Sequence, residues 1–323
     1  MNCTLYNCTL TGNSAINGGG ASGCTLSDCT VTDNSAIQES NGDMVTDTSG
    51  GGVKNSVLYN CTLTGNSVEG FGVGGGGASG STLYNCTVTG NVGGVAGGTL
   101  YNCLVTGNGG GSGGTLYGCT VVGNNGGVSG TVFNSIVYYN SGGNYAEDTT
   151  LSFSCTTPLP TNGVSNITGP PLFMDMAAGD FRLREESPCI DAGTNLLGLA
   201  IVPFYNPDTD EYTLVPYGHE STDMLGNTRF IDGNFDGRVA WDIGAYEFNS
   251  FRPPRFAVQP QRTSEGWTLN ISGAPNKWVH LQRSSNLKDW EDVWSGFMGA
   301  EGAHQCNDGD MGQKVMFYRA VVP

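Results

Sequence analysis

The sequence predicts an all-β chain built largely of stacked, equivalent coils, and three observations predict it. Fifty-two of the 323 residues are Gly and only 13% are charged, which is too much Gly for many helices and too little charge for an ordinary disordered segment. A short unit recurs almost unchanged, as TLYNCTVTGN at 82–91, TLYNCLVTGN at 99–108 and TLYGCTVVGN at 115–124. Such self-similarity marks repeated structural units. Within each unit Thr, Val and Leu alternate with a period of two, which excludes a helical repeat.

Seven units align without gaps: LYNCTLTGN (5–13), LSDCTVTDN (26–34), LYNCTLTGN (58–66), LYNCTVTGN (83–91), LYNCLVTGN (100–108), LYGCTVVGN (116–124) and VFNSIVYYN (132–140). The steps between their Cys positions are 21, 32, 25, 17 and 16, and Ser135 follows Cys119 by 16. In CTVTGN, Cys86 and Val88 point to one side and Thr87 and Thr89 to the other. Leu83 and Cys86 both point inward yet stand three apart, so the chain bends near Asn85. It bends again at Gly90–Asn91. Each unit is two short strands and two corners, and Gly-rich runs such as GGVAGG supply the remaining side. Stacking of these units predicts a right-handed parallel β-helix, each residue lying over its copy at about 4.8 Å, with no coil stable alone. The long steps place insertions at 14–23, 35–55 and 67–80.

The columns carry distinct readings. Cys8, Cys29, Cys61, Cys86, Cys103 and Cys119 form an inward stack of buried thiols behaving as small hydrophobes. Disulfides between them would need Cβ vectors that parallel stacking does not supply, and metal binding lacks nearby His. Cys3, Cys24, Cys155, Cys189 and Cys306 lie off this column, so the total is odd. Asn7, Asn60, Asn85, Asn102 and Asn134 form one corner column, with Asp28 and Gly118 as substitutes. Asn13, Asn34, Asn66, Asn91, Asn108, Asn124 and Asn140 form the second. Both suit corner dihedrals and amide stacking. Tyr6, Tyr59, Tyr84, Tyr101 and Tyr117 with Phe133 make an outward aromatic stripe, interrupted at Ser27. It reads as self-stacking, or as a glycan-binding platform at Tyr59, Tyr84, Tyr101 and Tyr117. Thr9/Thr11, Thr30/Thr32, Thr62/Thr64 and Thr87/Thr89 form an outward T-x-T face that decays at Leu104/Thr106 and Thr120/Val122. Thr is a good strand residue, and such arrays also resemble those of ice-binding proteins.

Net charge is −16, unevenly spread: residues 1–150 hold one base, Lys54, and eight acids. No basic face exists to track phosphates, so nucleic acid and anionic membrane surfaces are poor partners. No run is long and apolar enough to span a bilayer. No signal peptide precedes the first repeat, and the chain reads as a fragment of a longer secreted or cell-surface protein.

From 151 the repeat fades. SCTTPLPTNGVSNITGPPLF, GDFRLREESPCIDAGTN and DMLGNTRFIDGNFDGRVAWDIGAYEF (223–248) together resemble the choice-of-anchor Q domain that closes the β-helix of secreted bacterial proteins. SPCIDAGT and DIGAYEF carry the resemblance most specifically. The upstream coils resemble right-handed β-helix repeats in general, pectate-lyase-like proteins included. Residues 196–221 read as a variable insertion. After the Pro-rich break RPPRF, WTLNISG, KWVHLQRSS, WEDVWSG and VMFYRAVVP read as strands, and this tail resembles small immunoglobulin-like modules. The expected organisation is coils at 1–167, a choice-of-anchor Q-like end or cap at 168–250, and a small β-sandwich-like domain at 251–323. Trp267, Trp278, Trp290 and Trp294 read as its core, with a sugar platform as the alternative.

The pectate-lyase resemblance implies acids that hold Ca²⁺ and a basic residue as proton acceptor. The best match is Asp43 and Asp47 in one insertion with Lys54; Asp28, Asp33, Glu39, Glu69, Glu147 and Asp148 are scattered. His219, His280 and His304 lie outside the coils, and no Ser-His-Asp or H-E-x-x-H spacing occurs, so no catalytic residue is assigned. Asp232, Asn234 and Asp236 stand at positions one, three and five of a D-x-N-x-D-G run and predict a Ca²⁺ site. Position twelve is Ile243, with Asp242 one place early as its substitute. The expected function is a non-catalytic adhesin, scaffold or glycan-binding protein whose partner is a polysaccharide or cell-surface glycan. A polysaccharide lyase or glycoside hydrolase, with its site in the insertions or in further coils, is the alternative, and ice binding is the second.

Overall fold

The structure, a computed structural model, describes residues 3–37, 48–69, 74–195, 201–206, 211–216, 222–234, 239–248, 255–256, 260–264, 266–272, 278–299, 303–309 and 317–321. Among the described residues the elements are strands apart from one 3₁₀ turn, Met176–Ala178, and the chain divides into two compact units, Met1–Phe248 and Asn249–Pro323.

Two long parallel sheets make up most of the first unit. One runs through Thr4–Tyr6, Thr25–Ser27, Val57–Tyr59, Ala78–Tyr84, Val95–Tyr101, Ser112–Tyr117, Val128–Phe133 and Thr150–Ser152. The other runs through Thr9–Thr11, Thr30–Thr32, Thr62–Thr64, Thr87–Thr89, Leu104–Thr106, Thr120–Val122, Ile136–Tyr138 and Cys155–Thr156. Ser14–Ala15, Ser35–Ile37 and Ser67–Glu69 form a third, short one. Register follows the repeat: Leu83 pairs with Leu58 and Leu100, Tyr84 with Tyr59 and Tyr101, and Thr62 with Thr30 and Thr87. This parallel stacking of repeated strands is compatible with a β-solenoid. The sequence steps of 21 and 32 do not disturb it; parts of the longer segments, Ser14–Ala15, Ser35–Ile37 and Ser67–Glu69, are the strands of the third sheet.

Interior positions are filled by Leu26, Leu58, Leu83, Leu100, Leu116 and Leu151 from one sheet and by Val31, Leu63, Val88, Val105, Val121 and Val137 from the other, all fully buried. The Gly-rich side is closed by backbone alone. A Cβ on Gly94 would lie 2.0 Å from the Gly111 carbonyl oxygen, and one on Gly111 would lie 1.7 Å from that of Gly127. At these two positions the coils approach too closely for any side chain.

The two corners differ. At the first, Asn7, Asp28, Asn60, Asn85, Asn102 and Asn134 adopt φ between 46° and 54°, and Gly118 takes 58°. That left-handed region costs most L-residues about 1–2 kcal/mol and is tolerated by Asn, Asp and Gly. At the second corner the left-handed residue is the one before the Asn: Gly12, Gly65, Gly90, Gly107 and Gly123, then Asp33 and Tyr139. The second Asn column is therefore not there for its dihedral. Its side chains turn inward.

Residues beyond the last rung, where Cys155 bridges Ile167, do not continue the stack. The hairpin of Phe173–Asp175 with Asp180–Leu183 and the segments around Cys189 and Ile243 lie along the outer side of the last coils. There Phe173, Phe181, Cys189, Ile190 and Ile243 share one buried cluster with Leu104, Val122, Ile136 and Tyr138. The decay of the T-x-T face has its cause here. From Leu104 onward the outward positions Leu104, Val122, Ile136 and Tyr138 are covered by protein and are apolar, while Thr120 is kept and accepts the Ala245 N–H.

In the second unit, one antiparallel sheet joins Arg255–Phe256, Gln261–Thr263, Gly266–Ser272 and Ala303–Asp308. Another joins Trp278–Ser284, Glu291–Phe297 and Phe317–Val321. Leu269, Ile271, Val279, Leu281 and Met298 form their common core.

Candidate functional site

The interior of the coils is organised by two polar ladders. Asn91 Oδ1 accepts from the backbone N–H and the side-chain amide of Asn66, both at 2.9 Å, and its own amide donates to Leu63 O at 3.0 Å and to Asn108 Oδ1 at 2.9 Å. The same pattern runs from Asn13 through Asn140 to Asn144. Each amide satisfies a corner N–H and a carbonyl that the sheets leave open.

The cysteine column packs in the hydrophobic core, Cys29 to Cys119 being buried there, and its thiols also do related polar work. Cys61 N–H donates to Cys86 Sγ at 3.4 Å, and the Cys86 thiol donates to Tyr84 O at 3.2 Å. Ser135 does the same with Cys119 N–H at 3.0 Å and Phe133 O at 2.7 Å. The six ladder cysteines are free thiols. Burial raises the Cys103 thiol well above its ordinary value. Cys3 and Cys24, off the column, are joined as a disulfide.

On the outside, Tyr59, Tyr84, Tyr101, Tyr117 and Phe133 stack face to face. Their centroids are 5.0, 4.8, 5.1 and 5.6 Å apart, with interplanar angles of 11° or less. Tyr84, Tyr101 and Tyr117 are each sandwiched between two rings. A sugar cannot stack on faces already used, so a ligand would meet these rings at their edges. The threonine rows run in register beside them, from Thr9 and Thr11 through Thr30/Thr32 and Thr62/Thr64 to Thr87/Thr89.

The acid and base candidates separate. Lys54 Nζ donates to Asn17 Oδ1 at 2.8 Å; Asp43, Asp47 and Glu39 lie outside the described residues. Asp28 occupies the left-handed corner and accepts from Asn60 Nδ2 at 3.2 Å. Of the calcium candidates, Asp236 also lies outside the described residues. Asp242 is buried, one oxygen accepting from Asp191 N–H at 2.8 Å and the other from Phe248 N–H. Asp191 in turn accepts from the N–H groups of Gly233 and Asn234. Among the described residues no group of three or more His, Cys, Asp or Glu is placed to hold a metal ion.

A buried polar knot that the sequence did not announce lies beside Asp242. Arg229 Nη1 contacts Glu247 Oε2 at 3.2 Å, both side chains being almost wholly buried. Its Nη2 donates to Asn102 Oδ1 and Gly244 O, each at 2.9 Å, and its guanidinium lies 5.5 Å from the Trp241 ring. Burial, then the neighbouring Asp242 charge, pushes the Glu247 carboxyl up to about 9; burial pushes Asp242 up to about 7. The only sequence signal was two acids and one Arg in a segment otherwise read as a cap.

In the second unit the structure brings together His280, Asp292 and Ser295, which sequence spacing did not connect. His280 Nδ1 is 2.9 Å from both Asp292 Oδ2 and Ser295 Oγ, and Ser295 Oγ donates to Asp292 at 3.0 Å. A catalytic triad needs the carboxylate and the hydroxyl on opposite ring nitrogens. Here both address one nitrogen, so this is a hydrogen-bonding cluster and not a nucleophile with its base. Trp267 and Trp294 pack against the core as expected, whereas Trp278 is 41% exposed and Trp290 lies under Arg319 at 4.2 Å. No protein-family model matches the chain, and comparison with curated proteins gives no match.

Proposed function

We propose that this chain is a secreted or cell-surface right-handed parallel β-helix, finished by a choice-of-anchor Q-like segment, that works as an adhesin or scaffold and binds neutral glycans without degrading them. The observation that carries this reading is the outer flank of the coils. Tyr hydroxyls and Thr hydroxyls repeat there in register, on a backbone whose interior is locked by the Asn and Cys ladders. An extended polymer of hydroxyl groups meets donors and acceptors at a constant interval on a surface that loses little entropy on binding. The excess of acids disfavours uronate polymers, which share its sign.

The test is retention of the full chain on a panel of immobilised neutral and uronate polysaccharides, compared with Tyr84→Phe/Tyr101→Phe. That variant keeps the ring stack and deletes two hydroxyls. The reading expects retention on neutral polymers, weakened in the variant; equal behaviour of variant and parent removes the flank from the account.

A second reading, ice binding, is favoured by one observation: eight threonines stand in two in-register columns across four coils. Thermal hysteresis abolished by Thr62→Val/Thr87→Val would establish it in place of glycan binding.

A further inference from the structure

Among the described residues, the sheet of Trp278–Ser284, Glu291–Phe297 and Phe317–Val321 packs one side into the core. Val279 and Leu281 point into the core. Trp278, His280 and Gln282, at alternate positions, point the other way. Across the strand pair, Trp278 stands opposite Phe297 and His280 opposite Ser295. Trp278 and Phe297 are 41% and 65% exposed. Their rings meet edge to face, with centroids 4.9 Å apart and an 87° interplanar angle, an arrangement that fixes the indole while leaving it solvent-facing. Next along the strand, Asp292 gathers His280 Nδ1, Ser295 Oγ and Gln282 Nε2 at 2.9, 3.0 and 2.8 Å. Arg319 Nε then donates to Gln282 Oε1 at 2.8 Å. From Trp278 to Gln282 the strip is about 13 Å long at ~3.3 Å per residue, the scale of a short oligosaccharide.

We propose that this open sheet face is a second glycan site, in which Trp278 supports the C–H face of a neutral pyranose and the Asp292–His280–Ser295 cluster reads its hydroxyls. The chemistry selects this occupant. A pyranose carries an apolar face and a rim of groups that both donate and accept. The strip offers an aromatic surface followed by a carboxylate acceptor, a hydroxyl, an imidazole and an amide. A wholly apolar partner would take the Asp292 carboxylate, whose side chain is 43% exposed, out of water without offering it a donor. An anionic polymer would meet a carboxylate at the centre of the strip, on a chain of net charge −16. The hydrogen bonds from Gln282, His280 and Ser295 hold Asp292 below its ordinary value, so it stays an acceptor at neutral pH. The site shares a ligand class with the flank reading but none of its residues.

The experiment titrates the full chain with cello-, xylo-, manno- and chito-oligosaccharides by calorimetry. Trp278→Ala, Asp292→Asn and Tyr84→Phe/Tyr101→Phe are run in parallel, with melting curves verifying that each folds. The inference expects at least one series to bind, with affinity falling about tenfold or more in Trp278→Ala and in Asp292→Asn, as for an aromatic anchor and its central polar partner. The ladder variant keeps this binding. Because Asp292→Asn is isosteric and exposed, it keeps the test open if Trp278→Ala fails to fold. Binding that survives both Trp278→Ala and Asp292→Asn but falls in the ladder variant overturns this inference and leaves the flank reading standing. Absence of binding by the parent chain overturns both.

Discussion

Arg229 Nη2 donates to Asn102 Oδ1 across 2.9 Å, although 127 residues separate them. The bond pins the segment after the coils to a first-corner Asn. Neighbouring links repeat the device: Ala245 N–H donates to Thr120 Oγ1 at 3.0 Å, and Asn134 exchanges hydrogen bonds with Thr194 at 2.8 and 2.9 Å. Arg229 is the buried, charged donor to Glu247 Oε2, Asn102 Oδ1 and Gly244 O, and losing its hydrogen bonds to buried acceptors costs about 1–3 kcal/mol each. Arg229→Ala should lower the unfolding free energy of the first unit by at least one such loss in urea titration. A loss below about 1 kcal/mol would show that the knot does not hold the segment.

Glu247 also predicts a pH dependence. Its carboxyl is raised from the ordinary 4.5 to about 9, so between these values the folded chain holds a proton that the unfolded chain releases. Stability from this group is complete below about pH 4.5 and falls as pH rises toward 9. Melting temperature should decline over that interval, and Glu247→Gln, which cannot ionise, should flatten the decline. An unchanged slope in Glu247→Gln would assign it to other groups.

The two Asn columns should respond differently to substitution. Asn91→Ala deletes the acceptor of two Asn66 donors and the donor to Leu63 O, so a loss of about 3 kcal/mol or more is expected from buried groups left unpaired. Asn85→Gly, at φ 51°, keeps the corner dihedral and should change stability by less than about 1 kcal/mol. Equal losses would contradict the separation into dihedral and ladder roles.

Serine should replace the ladder thiols. Ser135 already accepts the Cys119 N–H and donates to Phe133 O, so Cys86→Ser should cost about 1 kcal/mol. Cys86→Val leaves Cys61 N–H without its acceptor and should cost more. Mass analysis of unreduced protein should find the buried ladder cysteines, Cys29 to Cys119, alkylated only after unfolding and Cys3 crosslinked to Cys24. Crosslinked Cys86–Cys103 peptides would overturn the free-thiol assignment.

Much of the first unit was legible because a repeat displays its own register: Leu83 over Leu58, Tyr84 over Tyr59. The direction of the second Asn column was not, since a Gly–Asn corner looks alike whether Gly or Asn takes the left-handed dihedral. The end of the T-x-T face was visible at Leu104, but its cause is a contact with residues such as Ile243, far away in sequence. His280, Asp292 and Ser295 were hidden for a similar reason. Antiparallel register and a bulge between Leu281 and Gln282 bring them together, and neither leaves a spacing that sequence alone displays. Trp278 was grouped with core tryptophans because alternation in KWVHLQRSS identifies two faces without saying which is buried.

The most direct test of the central claim, binding without degradation, is incubation of the full chain with neutral and uronate polysaccharides, with and without Ca²⁺, while bound protein, reducing ends and unsaturated products are followed together. The account predicts protein retained on neutral polymer with no new reducing ends and no absorbance from unsaturated products. Enzyme-dependent product formation would contradict it, and loss of that product in Asp43→Ala or Lys54→Ala would place the chemistry in the 35–55 insertion.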